Sequence, residues 1–103
     1  MPPSGPVLAK LIEIETELRQ SGWWQGQPLN PEQYDFRAAF AMDTMTFTQW
    51  LQFIFIPNVR SAAAKGQFPT SSQVAVQALR EFDGVPEASR LISRLSEFDA
   101  LFS

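Results

Sequence analysis

Apolar side chains recur along the first part of the chain at the spacing of one helix face. Val7, Leu11, Ile14 and Leu18 follow one another at intervals of four, three and four, and Leu8 and Ile12 widen the stripe. Glu13, Glu17 and Arg19 fall outside this seam. Ser21-Gly22 ends the pattern with glycine where a left-handed residue after the helix is wanted. Trp23 and Trp24 then lead into QGQPLNPEQYDF, whose Gly, Pro and Asn predict a long loop. Inside it, Asn30-Pro31 has the form of an N-cap followed by proline at the first helical position, which predicts a short helical turn near 31–36.

The stretch AMDTMTFTQWLQFIFIP, residues 41–57, mixes the largest apolar side chains with Asp43, Gln49, Gln52 and an interior proline. Thr46 and Gln49 have the S/T-x-x-E/Q capping-box spacing, so a second helix is expected to start there. Phe47, Trp50, Leu51, Ile54 and Phe55 cover most of its circumference, the pattern of a helix enclosed by partners. Pro57 removes the bond to the Phe53 carbonyl and crowds it, at a cost of about 3 kcal/mol without compensation. The alanine-rich run up to Gly66 nevertheless reads as helix, which predicts one kinked helix over about 47–65.

Thr70 with Gln73 repeats the capping-box spacing ahead of a third helix. Val74, Ala78, Leu79 and Phe82 supply its narrower apolar face, and Asp83-Gly84 stops it. Val85-Pro86-Glu87 starts a fourth, with proline at or near its first position and an acid in its first turn. Ala88, Leu91, Ile92, Leu95, Phe98 and Phe102 form its seam. No run alternates with period two long enough for a strand. The expected architecture is all-α: a four-helix bundle with a kinked central second helix, built as one domain over 7–103 behind a flexible, proline-rich tip at 1–6.

Composition narrows the chemistry. With neither Cys nor His among the 103 residues, zinc-finger spacing, iron–sulfur ligation, thiol catalysis, Ser-His-Asp triads and histidine acid–base work are all excluded. Nine Phe and three Trp must supply much of the core. Eleven acidic and eight basic residues, interspersed along the chain, give a formal charge of −3 and no clustered basic footprint for DNA or RNA. The N-terminus lacks the basic start and apolar run of a signal peptide, and no stretch approaches the ~20 apolar residues of a membrane span. A soluble, cytoplasmic protein without a membrane partner is expected.

The run Phe40-x-Met42-Asp43-Thr44-Met45, followed by Trp50-Leu51-Gln52 and Ile56-Pro57, closely resembles the YqcC-like family of small proteobacterial proteins. The amphipathic first helix, the Trp after it and the C-terminal Phe98-Asp99-Ala100-Leu101-Phe102 are similar too, so the resemblance covers most of the chain beyond residues 1–6. It implies a bacterial, all-helical bundle and carries no assigned activity. Members often lie beside a tRNA pseudouridine synthase gene, which suggests RNA modification by association alone.

Asp43 stands out, because it precedes the Thr46 cap and its charge suits free backbone amides there; a ligand-facing or partner-facing role is the other reading. Gln52 either points to solvent or hydrogen-bonds within the bundle. Trp50 reads as core. Trp23 and Trp24, adjacent in a loop, are not both easily buried, and with Tyr34 and Phe36 they form a candidate binding patch or else close off the core under the loop. Asp43 with Asp99 is the carboxylate pair that a metal-dependent enzyme would use, and Ser61 with Lys65 has the spacing of a dyad or of a solvated surface pair. Arg90 and Arg94 would grip a phosphate or form a plain charged face.

The leading expectation is a small non-enzymatic interaction or accessory protein, with no cofactor, no metal and a protein partner. Its candidate surface is Trp23, Trp24, Tyr34, Phe36, Asp43 and Gln52. The alternative is a carboxylate-dependent enzyme or small-ligand binder centred on Asp43.

Overall fold

Where each helix stops is decided by backbone groups that need partners, and glycine supplies the geometry twice. The computed structural model describes residues 3–102. It contains α1 (Ser4–Gln20), α2 (47–65), α3 (Val74–Glu81) and α4 (Ser89–Ala100), with short 3₁₀ turns at Pro31–Tyr34, Ala39–Ala41 and Pro86–Ala88 and no strand among the described residues. At the end of α1, Gly22 takes φ 77°, and the Trp23 amide donates to the Leu18 carbonyl at 2.9 Å while the Gly22 amide donates to Arg19 at 3.2 Å. These are the two bonds of a Schellman cap. Gly66 (φ 65°) ends α2 in the same way, with Gln67 bonding back to Ala62. Ser4, Gly5 and Pro6 of the expected tip are the first residues of α1; Met1, Pro2 and Ser103 lie outside the described residues.

Helix α2 starts with the expected capping box: the Gln49 amide donates to Thr46 Oγ1 at 3.2 Å and the Thr46 amide donates to Gln49 Oε1 at 2.9 Å. It then runs through Pro57 without stopping. The disturbance is taken up one turn earlier, where Leu51–Phe55 form a π turn and the Ile56 amide bonds back to Leu51. Proline thereby falls in the first turn of the α-helical stretch Ile56–Lys65, where a missing N–H costs least. The π turn also moves the core face on by about one position. Ile56 is fully buried, whereas Ile54, expected in the core, is half-buried.

Helix α3 is capped from another helix. The capping box expected from Thr70 and Gln73 does not form: the helix begins at Val74, and Gln73 makes no side-chain cap. Instead the Asp99 carboxylate near the end of α4 accepts from the Val74 amide at 3.1 Å, the Ala75 amide at 2.8 Å and the Ser72 hydroxyl at 2.5 Å. A full negative charge on free N-terminal amides satisfies them better than a neutral hydroxyl could, and it ties α3 to α4.

Helix α4 is the element against which both α1 and α3 pack, and α1 also meets the second half of α2. The core is formed by Val7, Leu11, Ile14 and Leu18 of α1, Leu51, Phe55 and Ile56 of α2, Ala78 of α3, and Leu91, Leu95 and Phe98 of α4. Burying a side chain of this kind contributes about 1.5–3 kcal/mol. Aromatic rings run through it as a chain: Trp23–Phe82, Phe82–Phe47, Phe47–Trp50, Trp50–Phe55, Phe55–Phe98, Phe98–Phe102 and Phe102–Phe68, with centroids 5.0–5.7 Å apart. Three apolar residues expected on core faces are instead exposed: Leu8 at 37%, Ile12 at 63% and Leu79 at 58%. Helix α1 buries a stripe one residue wide, and α3 rests chiefly on α4, so the flanks of both stripes meet solvent.

Candidate functional site: the segment between α1 and α2

Side chains, not regular secondary structure, hold residues 23–46 in place. Gln52, buried at 8% exposure, accepts from the Gln25 amide at 3.0 Å and donates to the Gln25 carbonyl at 2.8 Å. Its amide thus plays the part of a paired strand for one residue of loop. The Gln25 side chain accepts from Gln49 at 3.0 Å and donates to the Gln27 carbonyl at 2.8 Å, which links the tether to the start of α2. Of the two placements open for Gln52, the structure shows hydrogen bonding inside the protein. Gln52→Ala is expected to lower stability by about 1–3 kcal/mol, because it leaves both backbone groups of Gln25 without partners. Amide hydrogen exchange at Gln25 should accelerate in step; unchanged exchange would refute the tether.

Further along, Gln33 and Thr44 exchange hydrogen bonds: Thr44 Oγ1 donates to the Gln33 carbonyl at 2.6 Å and Gln33 Nε2 donates to the Thr44 carbonyl at 3.1 Å. The Gln33 Oε1 accepts from the Asn30 amide at 3.0 Å, which supports the short turn Pro31–Tyr34 expected there. Leu29, Ala41 and Met45 are buried against Trp50, Phe53 and Ile54, so this segment has a small core of its own on the far side of α2. The turn that seats Ala41 is strained, since Phe40 (φ 57°) and Ala41 (φ 53°) are both left-handed without being glycine. Conformations of this kind cost on the order of 1–3 kcal/mol each and persist only where the surroundings enforce them. Here the Phe40 ring stands edge-on to Trp50 at 4.9 Å, and the Ala41 carbonyl accepts from Thr44 and Met45.

Asp43 does serve free backbone amides, but not those of α2. Its carboxylate accepts from the Arg37 amide at 3.0 Å and the Ala38 amide at 3.3 Å, closing the loop behind it. The Arg37 amide is the main cause that holds this exposed carboxyl below the ordinary aspartate range; partial desolvation opposes it and the Ala38 amide adds to it. Because the folded value is depressed, the contribution is present above the unfolded pKa and is lost as pH falls through the folded one. The stability difference between wild type and Asp43→Asn should therefore shrink as pH is lowered below about 4. Urea titrations at a series of pH values measure this, and a difference independent of pH would assign another role to the carboxylate.

The remaining candidates scatter. Trp23 is half-buried and stacks on Phe82 at 5.1 Å, and half-buried Trp24 lies under the Arg19 guanidinium at 4.4 Å. Tyr34 and Phe36 are exposed at 49% and 36%, joined by Met42 at 49%, which the sequence pattern did not single out although it lies in the Met-Asp-Thr-Met run. Met42 Sδ accepts from Gln77 Nε2 at 3.2 Å, so this part of the loop touches α3. Asp43 and Asp99 are not brought together; each binds a different set of backbone amides. No cluster of three or more His, Cys, Asp or Glu able to hold a metal ion occurs among the described residues.

Ser61 and Lys65 are both exposed. Arg94 joins α4 to α1 through Glu13 at 3.6 Å and Glu17 at 3.7 Å and pairs with Glu97 at 2.9 Å, while Arg90 is exposed. The bonds from Lys10 and then Arg94 hold the Glu97 carboxylate below its ordinary value. No helix among the described residues is long and apolar enough to cross a membrane.

A cleft also runs along α2 from Trp50 to Ala62. Its volume is about 220 Å³, and its walls include Trp50, Phe55, Asn58, Phe68, Phe98 and Phe102. Asp43, Gln52 and Asp99 do not line it.

These features describe a small helical bundle with a side-chain-braced loop. The chain belongs to the DUF446 family, whose description reads "tRNA pseudouridine synthase C" and whose sequence model matches residues 6–101. It is 29% identical over 100 residues to the Escherichia coli protein named "Uncharacterized protein YqcC", covering 94% of this chain and 91% of that one. An uncharacterized protein of Haemophilus influenzae is 26% identical over 96 residues, 88% of this chain and 87% of its own. A Pectobacterium carotovorum protein named "tRNA pseudouridine synthase C" is 36% identical over 55 residues, which make up 53% of this chain and 15% of that protein. No solved structure gives a significant match.

Proposed function

We propose that this chain is a non-enzymatic interaction module that works beside a tRNA pseudouridine synthase in the cytoplasm, with residues 31–46 as its contact surface. The observation that carries the reading is the exposure of Tyr34, Phe36 and Met42 on a loop braced by Gln33, Thr44 and Asp43. Aromatic residues and methionine are favoured at protein interfaces, and a loop already held in shape loses little freedom on binding. The choice of partner is supported by the Pectobacterium relative, in which similar sequence makes up a small part of a longer chain bearing the synthase name. The acidic balance of this chain favours contact with the enzyme over contact with the tRNA itself.

Calorimetric titration of the purified chain with the tRNA pseudouridine synthase of the same bacterium tests this. Saturable binding is expected, weakened tenfold or more by the double change Phe36→Ser and Met42→Ser at unaltered helical content. Absence of binding both to the free synthase and to its tRNA complex would overturn the proposal. The interaction reading is favoured over an Asp43-centred enzyme or ligand binder because Asp43 and Asp99 bind separate sets of backbone amides and neither of them, nor Gln52, lines the cleft.

A further inference from the structure

We infer that the cleft between the second half of α2, the end of α4 and the connector 66–73 is a binding site for a small, neutral, single-ring aromatic molecule with one hydrogen-bonding group. Size is the first argument. An apolar cavity of about 150 Å³ stays dry and takes up benzene, so about 220 Å³ accommodates such a ring with a short substituent. The lining chemistry is the second. Trp50, Phe55, Phe68, Phe98 and Phe102 surround the space and no charged side chain lines it, so an ion would lose its hydration with nothing to replace it. Aromatic faces and edges in this number favour another ring over an aliphatic group of equal size.

The walls are also preformed. Phe55 meets Phe98 edge-on at 5.0 Å, Phe98 meets Phe102 at 5.0 Å, and Phe102 meets Phe68 at 5.7 Å, so each ring is propped by the next and cannot close the gap without breaking a neighbour's contact. Asn58 supplies the remaining element. It is exposed, it makes no side-chain hydrogen bond among the described residues, and it contributes an amide able to donate and accept to an otherwise apolar lining. That arrangement, a half-open apolar cleft with one free polar side chain in its lining, has the composition of a small-molecule site on a small scale. It does not rest on the exposed surface of the loop 31–46 or on any synthase, although Trp50 is shared with the small core under that loop.

The test is an NMR titration of the full chain with benzyl alcohol, alongside toluene and cyclohexylmethanol. Saturable shifts are expected at the Val59 and Ala62 methyl groups and the Trp50 indole N–H, all from cleft residues. Cyclohexylmethanol should bind several-fold more weakly, and Asn58→Ala should remove the preference for benzyl alcohol over toluene. Ala62→Leu fills the space and should weaken binding at least tenfold while leaving the melting temperature equal or higher. Val59→Phe blocks the space by a second route should the first variant misfold, and Ala64→Leu, outside the lining, should bind normally. No saturable shift at these groups up to about 10 mM ligand, or binding undiminished in the cleft-filling variants, overturns the inference.

Discussion

Phe98→Ala is expected to lower the unfolding free energy by about 3–5 kcal/mol. Phe98 is 2% exposed and is an interior link of the ring chain, in contact with Phe55 and Phe102. Truncation removes its own burial and leaves a void that opens onto the cleft, so the loss combines a transfer term with a cavity term. Since a domain of about 100 residues is stable by only about 5–15 kcal/mol, this one change brings the protein close to its folding limit. Phe98→Leu keeps most of the volume and should cost less than about 1.5 kcal/mol. Urea unfolding followed by circular dichroism separates the two, and a loss below about 1 kcal/mol for the alanine variant would mean that the ring chain does not hold the helices together.

Asp99→Ala should be the next most damaging, at about 2 kcal/mol. An ordinary N-cap lost to alanine costs about 0.5–2 kcal/mol. This one belongs at the upper end, because the same carboxylate closes the start of α3 and fastens it to α4. Asp99→Asn retains an acceptor oxygen and should lose less. The specific signature is in hydrogen exchange: the Val74 and Ala75 amides should lose protection before those of α1 do. Uniform loss across the chain would point to general destabilisation instead.

Asp99 also marks the boundary of what one sequence reveals. Features set by near neighbours were legible: the glycine ends of α1 and α2, the Thr46–Gln49 capping box, the stripe Val7, Leu11, Ile14 and Leu18, and the seam from Ala88 to Phe102. A motif between residues three apart was misjudged at Thr70 and Gln73, because the partner that prevailed lies 25 positions away from Val74. The same limit explains Leu79 and Ile12, apolar residues on faces that no other helix covers. For Asp43 the type of partner was foreseeable and its direction was not, since a carboxylate can turn either way along the chain to find free amides. The aromatic cleft left no local trace, as its walls come from three separate stretches.

The π turn in α2 has a consequence for chain length. A wider turn within an α-helix is what one added residue produces when the helix on either side keeps its facing. Removing a residue from 51–55 should therefore restore a regular helix without rotating either half, whereas a deletion elsewhere in α2 swings everything beyond it by about 100°. Pro57 opposes that repair, because its ring would then meet a carbonyl of the tightened turn. The proline therefore favours keeping the wider turn, and a deletion in 51–55 should be tolerated better when Pro57 is replaced by alanine.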